Sequence, residues 1–368
     1  MSLNVRFAIA SDLHIALPHT IPHNPHRFHR VELSIHAFEA VLDYLAQLGL
    51  DFLLLPGDLT QDGEPDNHAW VAQRLAQLPY PVYVVPGNHD AVEQHSTHSS
   101  IGIADFPTYY SKFGYSNPGQ LYYSEPLLPG IRLIGLNSIA FDDQGKQHYM
   151  GRVDQEQLVW LRHCLEAATD EFILVMIHHN VIEHLPGQMQ NPLGRRYMLE
   201  NAPALLHLLR KAGVRLICTG HLHVQDIAHD RGIYDITTGS LVSYPHPFRV
   251  LQLYQQDDGH LRLQIESHHI QSLPGWDDLQ TSSRELMGDR SVHFMMKLLM
   301  GDPLNLSYPD AERLAPDLRY FWADIARGDA QFSFPQFPAN VRRYFEQFSA
   351  LDQAGIPHLI DNSATLVL

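Results

Sequence analysis

Cysteine is nearly absent: Cys164 and Cys218 are the only two in 368 residues, and each sits inside an apolar pattern. That count excludes a disulfide framework and fits a reduced, cytoplasmic protein. Long hydrophobic runs are missing too, since no stretch approaches the ~18 apolar residues of a membrane-spanning helix. Basic residues are in deficit, 25 Lys and Arg against 41 Asp and Glu, for a formal net charge of -16. A basic face for duplex or single-stranded nucleic acid is not expected, and neither a stable nucleic-acid complex nor a membrane partner follows. Carboxylates that hold cations count toward that total, so a phosphate substrate stays open. Met1 to Arg6 is too short for a signal peptide. The chain shows no internal repeat and no low-complexity tract.

What it does contain is a sizeable apolar share, 45%, and 25 histidines. The first predicts a well-filled core in one large domain with an appendage, or in two domains. The second decides nothing by number, because a metal site uses only a few. Placement matters more. Five times, an apolar strand ends in a tight turn that carries a metal-ligand type of residue. Residues 5–10 lead to Asp12 and His14, which alternation puts on one side. Residues 51–55 lead through Pro56-Gly57 to Asp58, and 82–85 through Pro86-Gly87 to Asn88, His89 and Asp90. Residues 172–177 lead to His178 and His179, and 214–218 to His221 and His223. Any one of these side chains could be a helix cap or a satisfied loop residue. Five in succession point to convergence, because ligands of open α/β sheets bind outside the carboxyl ends of the strands. The mix of imidazole, carboxylate and amide suits first-row divalent metals, and so many candidates fit two ions better than one.

Between these strands, apolar residues at helical spacing predict helices over 32–48, 66–78, about 154–165 and 203–212. The loop 19–29 carries His19, His23, His26 and His29 and reads as a pocket rim or a secondary metal tract. Residues 91–130 are a long aromatic-rich insertion, expected to shape the pocket or to cover a sheet edge. Arg195 and Arg196 stand in a loop over 183–200 and could meet a substrate phosphate. Residues 249–254 and 261–265 alternate around Asp258-Gly259, a hairpin pattern. After about residue 270, helices are expected near 291–299, 310–326 and 339–351.

The blocks Asp12-Leu13-His14, Gly57-Asp58, Gly87-Asn88-His89-Asp90, His178 and Gly220-His221-Leu222-His223 resemble, in order and spacing, the motifs of calcineurin-like metallophosphoesterases. They look most like the bacterial cyclic-nucleotide phosphodiesterase and glycerophosphodiesterase branch. The resemblance implies an α/β fold, a four-layer α/β/β/α sandwich over residues 1–270. Residues 271–368 would form a helical C-terminal extension that caps the site, supports a homo-oligomer or buttresses the sandwich. It further implies two divalent or mixed-valence transition-metal ions (Mn, Fe, Zn, Co or Ni). Asp12, His14, Asp58 and His223 would hold one, and Asp58, Asn88, His178 and His221 the other. His89 would be catalytic, stabilising or protonating the leaving group. Asp62 and Asp90 are candidates to orient the ligands or His89.

The expected activity is hydrolysis of a small organic phosphodiester by a metal-bridging hydroxide that attacks phosphorus. A phosphomonoesterase or a nucleotide pyrophosphatase on the same site is the alternative, with a nuclease or a non-catalytic metal-binding scaffold behind them. The chain departs from the family at its fourth block, where His-His-Pro is common and His178-His179-Asn180 stands here. His178 follows the strand directly and is assigned as the ligand, with His179 as its competitor.

Overall fold

The computed structural model describes residues 3–21, 27–256, 259–352 and 354–368. His23 and His26 of the histidine loop and Asp258 of the hairpin turn therefore lie outside the described residues. In chain order, β1 (Asn4–Ile9) is followed by α1 (Ser34–Leu45), β2 (Phe52–Leu55), α2 (Pro65–Leu75) and β3 (Val82–Val84). This is the alternation the spacing predicts. In α1, Ala37, Phe38, Val41, Leu42 and Leu45 form the buried stripe. The insertion contributes the single-turn α3 (Phe106–Tyr109) and a strand, β4 (Tyr123–Leu128). Then come β5 (Ile131–Gly135), α4 (Gln155–Ala167), β6 (Phe172–Met176), α5 (Ala202–Lys211) and β7 (Leu216–Thr219). Asp154 caps α4 by accepting from the Gln157 N–H, as a residue with a short side-chain acceptor should.

After β7 come β8 (Asp226–Asp230), antiparallel to β9 (Ile233–Thr237), which itself runs parallel to β7, and then β10 (Pro247–Gln255) and β11 (Leu261–His269). The expected hairpin is the β10–β11 pair. The C-terminal region is helical: α6 (Leu279–Met300), α7 (Tyr308–Leu314), α8 (Phe321–Arg327) and α9 (Ala339–Glu346). The helix predicted near 291–299 starts 12 residues earlier than expected, because its N-terminal half is polar and amphipathic only in context. A last strand, β12 (Ser363–Val367), was not expected. It pairs antiparallel with β11, so the end of the chain returns to the sandwich.

The strands form two six-stranded sheets, ordered β12-β11-β10-β1-β2-β3 and β4-β5-β6-β7-β9-β8. Alternation sorts the second sheet's side chains into two layers. Leu133, Leu174, Met176, Leu216 and Cys218 join the large core shared with the first sheet and α1. Ile134, Val175 and Ile217 join Leu158, Leu161, Leu205 and Leu209 of α4 and α5. A third cluster unites the C-terminal helices with Leu222, Val224 and Tyr244. The insertion's Tyr110, Phe113, Tyr115 and Tyr123 pack into the main core, and β4 forms the edge of the second sheet. The buried Arg249 on β10 donates to the carbonyl oxygens of Thr237 on β9, at 3.0 Å, and of Asp361. Its guanidinium thereby ties both sheets to the C-terminal segment, and burial brings its pKa down to about 10.

What places the site is strand direction. β1, β2 and β3 run parallel, and so do β5, β6, β7 and β9. Their carboxyl ends therefore lie on common edges, and the turns after β1, β2, β3, β6 and β7 meet there.

Candidate metal centre

The turns that leave these strands are bent sharply. Asp12, His14, Asp58, His221 and His223 all have positive φ, between 44° and 67°, a region that side chains with a Cβ rarely enter. Such a residue costs about 1–3 kcal/mol and persists only where its surroundings over-determine it. Here backbone hydrogen bonds between turns do so. The N–H of Asp12 donates to Gly57 O at 3.2 Å, that of His14 to Asp58 O at 2.9 Å, and that of Gly220 to His178 O at 3.1 Å. The His221 N–H donates to both carboxylate oxygens of Asp12 at 3.1 Å, which joins the two sheets across the site. Two glycines allow the close approach. A Cβ on Gly57, whose φ is +96°, would collide with the His178 ring, and one on Gly87 with Asp58.

Two groups of ligand-type atoms result, each with its members within 4.8 Å of one another: Asp12, His14, Asp58 and His223, then Asp58, His178 and His221. They share Asp58. Within the first, His14 Nε2 lies 3.4 Å from His223 Nε2, and His223 Nε2 lies 3.1 Å from Asp12 Oδ1. Within the second, His178 Nε2 is 3.1 Å from His221 Nδ1 and 3.4 Å from Asp58 Oδ2. Asn88 completes that group, its Oδ1 lying 3.1 Å from His178 Nε2. Two neutral imidazoles share at most one proton across each N···N contact, and the remaining lone pairs face carboxylate oxygens. A divalent cation is the partner such a set lacks, so these residues fit the metals the sequence implies.

The electrostatics agree. Burial opposes the charge on Asp58, yet His178 and His89 hold its carboxyl well below the usual carboxylate range. Burial also opposes a proton on His178, but Asp58 overrides it and raises the imidazole to about 9. A pair of this kind retains a cation, a proton where nothing stronger competes. Burial, followed by the neighbouring histidines, keeps His14 and His221 well below the ordinary imidazole value, so they stay neutral and available as donors of lone pairs.

The other predicted residues sort by their contacts. His89 gives its backbone N–H to Asp58 Oδ1 at 2.8 Å, and its Nδ1 lies 2.6 Å from the Gln61 carbonyl and 3.4 Å from Asp62. This leaves Nε2 for another partner. Burial lowers its pKa, but Asp58 and Asp62 raise it to about 9. Asp90 instead knits the turns, accepting from the backbone N–H groups of Thr60 at 2.9 Å and Gly87 at 2.8 Å. His179 is buried with Nδ1 2.8 Å from Ser138 Oγ, and its ring packs 4.3 Å from that of His221. Asn180 donates to Gly220 O at 3.2 Å and Thr219 Oγ1 at 3.1 Å, so an amide where proline is common clamps the β6 turn to the β7 turn.

The described part of the histidine loop does line the pocket, through Arg27, Phe28 and His29, and of these Arg27 was not singled out from the sequence. The His29 ring stacks on His14, 4.6 Å between centroids, while His19 of the same loop pairs with Asp66 at the surface. Arg27 lines the adjoining pocket with its Nε and Nη1 buried and without hydrogen-bond partners. Arg27 carries no local pattern that separates it from an ordinary loop residue. Of the two adjacent arginines, Arg196 lines the pocket and rests over Tyr197, 4.5 Å from the ring centroid. Its carbonyl lies 3.3 Å from His221 Nε2, which ties the 183–200 loop to the site.

Comparisons with known proteins agree with this architecture. Residues 5–225 match the sequence model described as calcineurin-like phosphoesterase. The chain is 28% identical over 190 residues to a probable glycerophosphodiester phosphodiesterase GpdQ from Arcobacter nitrofigilis, covering 47% of this chain and 56% of that one. It is 27% identical over 205 residues to the 3',5'-cyclic adenosine monophosphate phosphodiesterase CpdA of Pseudomonas aeruginosa, covering 54% and 64% respectively. The chain thus spans rather more than half the length of these relatives. Among solved structures, a dimetal phosphatase from Danio rerio superposes with a TM-score of 0.53 at 17% identity, covering 72% of this chain and 96% of that one. At that identity the likeness concerns the fold.

Proposed function

Because the chain belongs to the calcineurin-like phosphoesterase family, we propose that it is a dinuclear metal-dependent hydrolase of small organic phosphodiesters. The observation that carries this reading is the pair of ligand groups that share Asp58, with His89 hydrogen-bonded to the same carboxylate. Asp12, His14, Asp58 and His223 would hold one ion, and Asp58, Asn88, His178 and His221 the other. When bound, two such ions lower the pKa of a water and clamp the oxygens of an in-line displacement at phosphorus. Manganese, iron, zinc, cobalt and nickel all suit this donor set.

The protein's own groups supply the rest. Gln61 and Asp62 hold Nδ1 of His89, so its Nε2 can carry a proton to the departing oxygen. Positioned proton transfer of this kind is typically worth ~10²–10⁴-fold. The Arg27 guanidinium, with two unpartnered nitrogens at the pocket wall, provides a second contact for substrate oxygens. The names of the two relatives, a glycerophosphodiesterase and a cyclic-nucleotide phosphodiesterase, support a diester over a monoester. We place the metallophosphoesterase domain in residues 1–270 and the extension in 271–368. Among the described residues no helix is long and apolar enough to cross a membrane.

The test is hydrolysis of bis(p-nitrophenyl) phosphate and p-nitrophenyl phosphate by the full chain loaded with each metal in turn. Metal-dependent turnover with the diester preferred is expected. Turnover that survives chelation would sink the metal-dependent reading, and a monoester preference would replace a diesterase by a phosphatase.

A further inference from the structure

The pocket that opens onto the ligand groups has a volume of about 600 Å³, far more than a phosphoryl group fills. Its polar end is Asp58, Asn88, His89, His221 and His223. Part of its lining comes from the C-terminal helices: Phe294 and Leu298 from α6, Phe321 and Trp322 from α8, then Tyr344 and Phe348 at α9 and just beyond it. Phe294 and Leu298 are four residues apart within α6, so they present one face of that helix.

Structural packing alone does not account for this wall. The rings that hold the helices together, such as Phe337 and Phe345, are buried to within a few per cent. Phe294, Trp322, Tyr344 and Phe348 are only partly buried, and the pocket is where their free faces lie. The rings brace one another edge to face, with Phe294 5.8 Å from Trp322 and Phe321 5.4 Å from Phe348, so the wall is preformed. It is also coupled to the ligands, because Leu222 between His221 and His223 is buried in the same helical cluster. Ligand pockets of this size combine an apolar lining with a few convergent polar groups, which is the arrangement here.

We infer that the C-terminal helices select the substrate: a phosphoester whose organic group is bulky and apolar, an alkyl chain or an aryl ring, lies against Phe294 and Trp322 while its phosphoryl group meets the ligand end. This rests on the hydrolase reading above but has its own readout in binding. A compact polar alcohol such as glycerol leaves the wall wet. A longer apolar group removes it from water, and each methylene fully buried there strengthens binding about fourfold.

The experiment uses the metal-loaded full chain and two parallel series. Binding of methyl-, butyl- and octylphosphonate is measured by calorimetry, and kcat/KM is measured for the methyl, butyl and octyl esters of p-nitrophenyl phosphate, which share one leaving group. Octylphosphonate should bind at least ~10²-fold tighter than methylphosphonate. The double variant Phe294→Ala, Trp322→Ala should cut that ratio about tenfold, and Trp322→Phe should retain most of it, with near-UV circular dichroism to verify folding. Equal affinity across the series, or a ratio indifferent to the double variant, would overturn the inference. A steep binding series without any ester hydrolysis would uphold the apolar wall and overturn the hydrolase reading instead.

Discussion

Across the pocket, the strand ends present carboxylates, imidazoles and an amide held in place by hydrogen bonds, whereas the C-terminal helices present half-buried rings held by packing. The first surface includes Asp12, Asp58 and three histidines in strained left-handed conformations, Asp12 accepting from the His221 N–H and Asp58 from the His89 N–H, and beside them His178 Nδ1 meets the Pro56 carbonyl at 2.8 Å. The second has few directed contacts and owes its shape to volume. A polar site tolerates no substitution of type because geometry and charge act together. An apolar wall tolerates changes of shape and responds to loss of volume.

The comparison can be broken most severely at Asp58. Asp58→Asn should drop hydrolysis to background and lower the bound metal measured by elemental analysis, since that carboxylate belongs to both ligand groups. Two retained metals would show that the groups are independent. His89→Ala should lower kcat by about 10²–10⁴-fold while the metal content stays unchanged. A parallel loss of metal would make His89 a support of Asp58 rather than a proton carrier.

In the helical region the expected damage is to stability. Leu318→Ala empties a fully buried position and should lower unfolding free energy by about 2–5 kcal/mol, read by urea titration, with metal stoichiometry preserved. A pH effect of comparable size is expected at His184, which pairs with Asp226 and Asp235. His184 is buried, which lowers its pKa, but Asp235 and Asp226 outweigh this and raise it to about 9. Because the folded value exceeds the ordinary 6.5, the contribution is fully present below pH 6.5 and is lost as pH rises through 9. It amounts to about 3 kcal/mol, and a His184→Asn variant should lack that part of the pH dependence in urea midpoints. The smallest effect is expected at Asn180. Asn180→Ala should weaken metal affinity by about 10–100-fold by freeing the β6 turn from the β7 turn, and a calorimetric titration would reveal it. Unchanged affinity would reduce Asn180 to a packing residue.

The sandwich and its ligand groups were largely legible in the sequence, because both depend on local order. Apolar runs announce buried strands, and Pro56-Gly57 and Pro86-Gly87 announce where two of them stop. Asp12, Asp58, Asn88, His178 and His221 stand just past the strand ends. Arg27 and the aromatic wall were not legible. Phe294 and Trp322 have the same helical spacing as any core residue. The strand β12 was hidden for a related reason, since Ser363–Val367 gains meaning only beside β11.

The sequence by itself determined which side chains could bind metal and that strand ends would carry them, since ligand chemistry and strand alternation are properties of residue type and spacing. Only the tertiary structure decided that His179 braces His221, that Arg249 ties both sheets to the C-terminal segment, and that side chains of the helices at the end of the chain line the pocket. Those are relations between segments distant in sequence, and parallel strand pairing together with helix packing is the physical agent that brings them together.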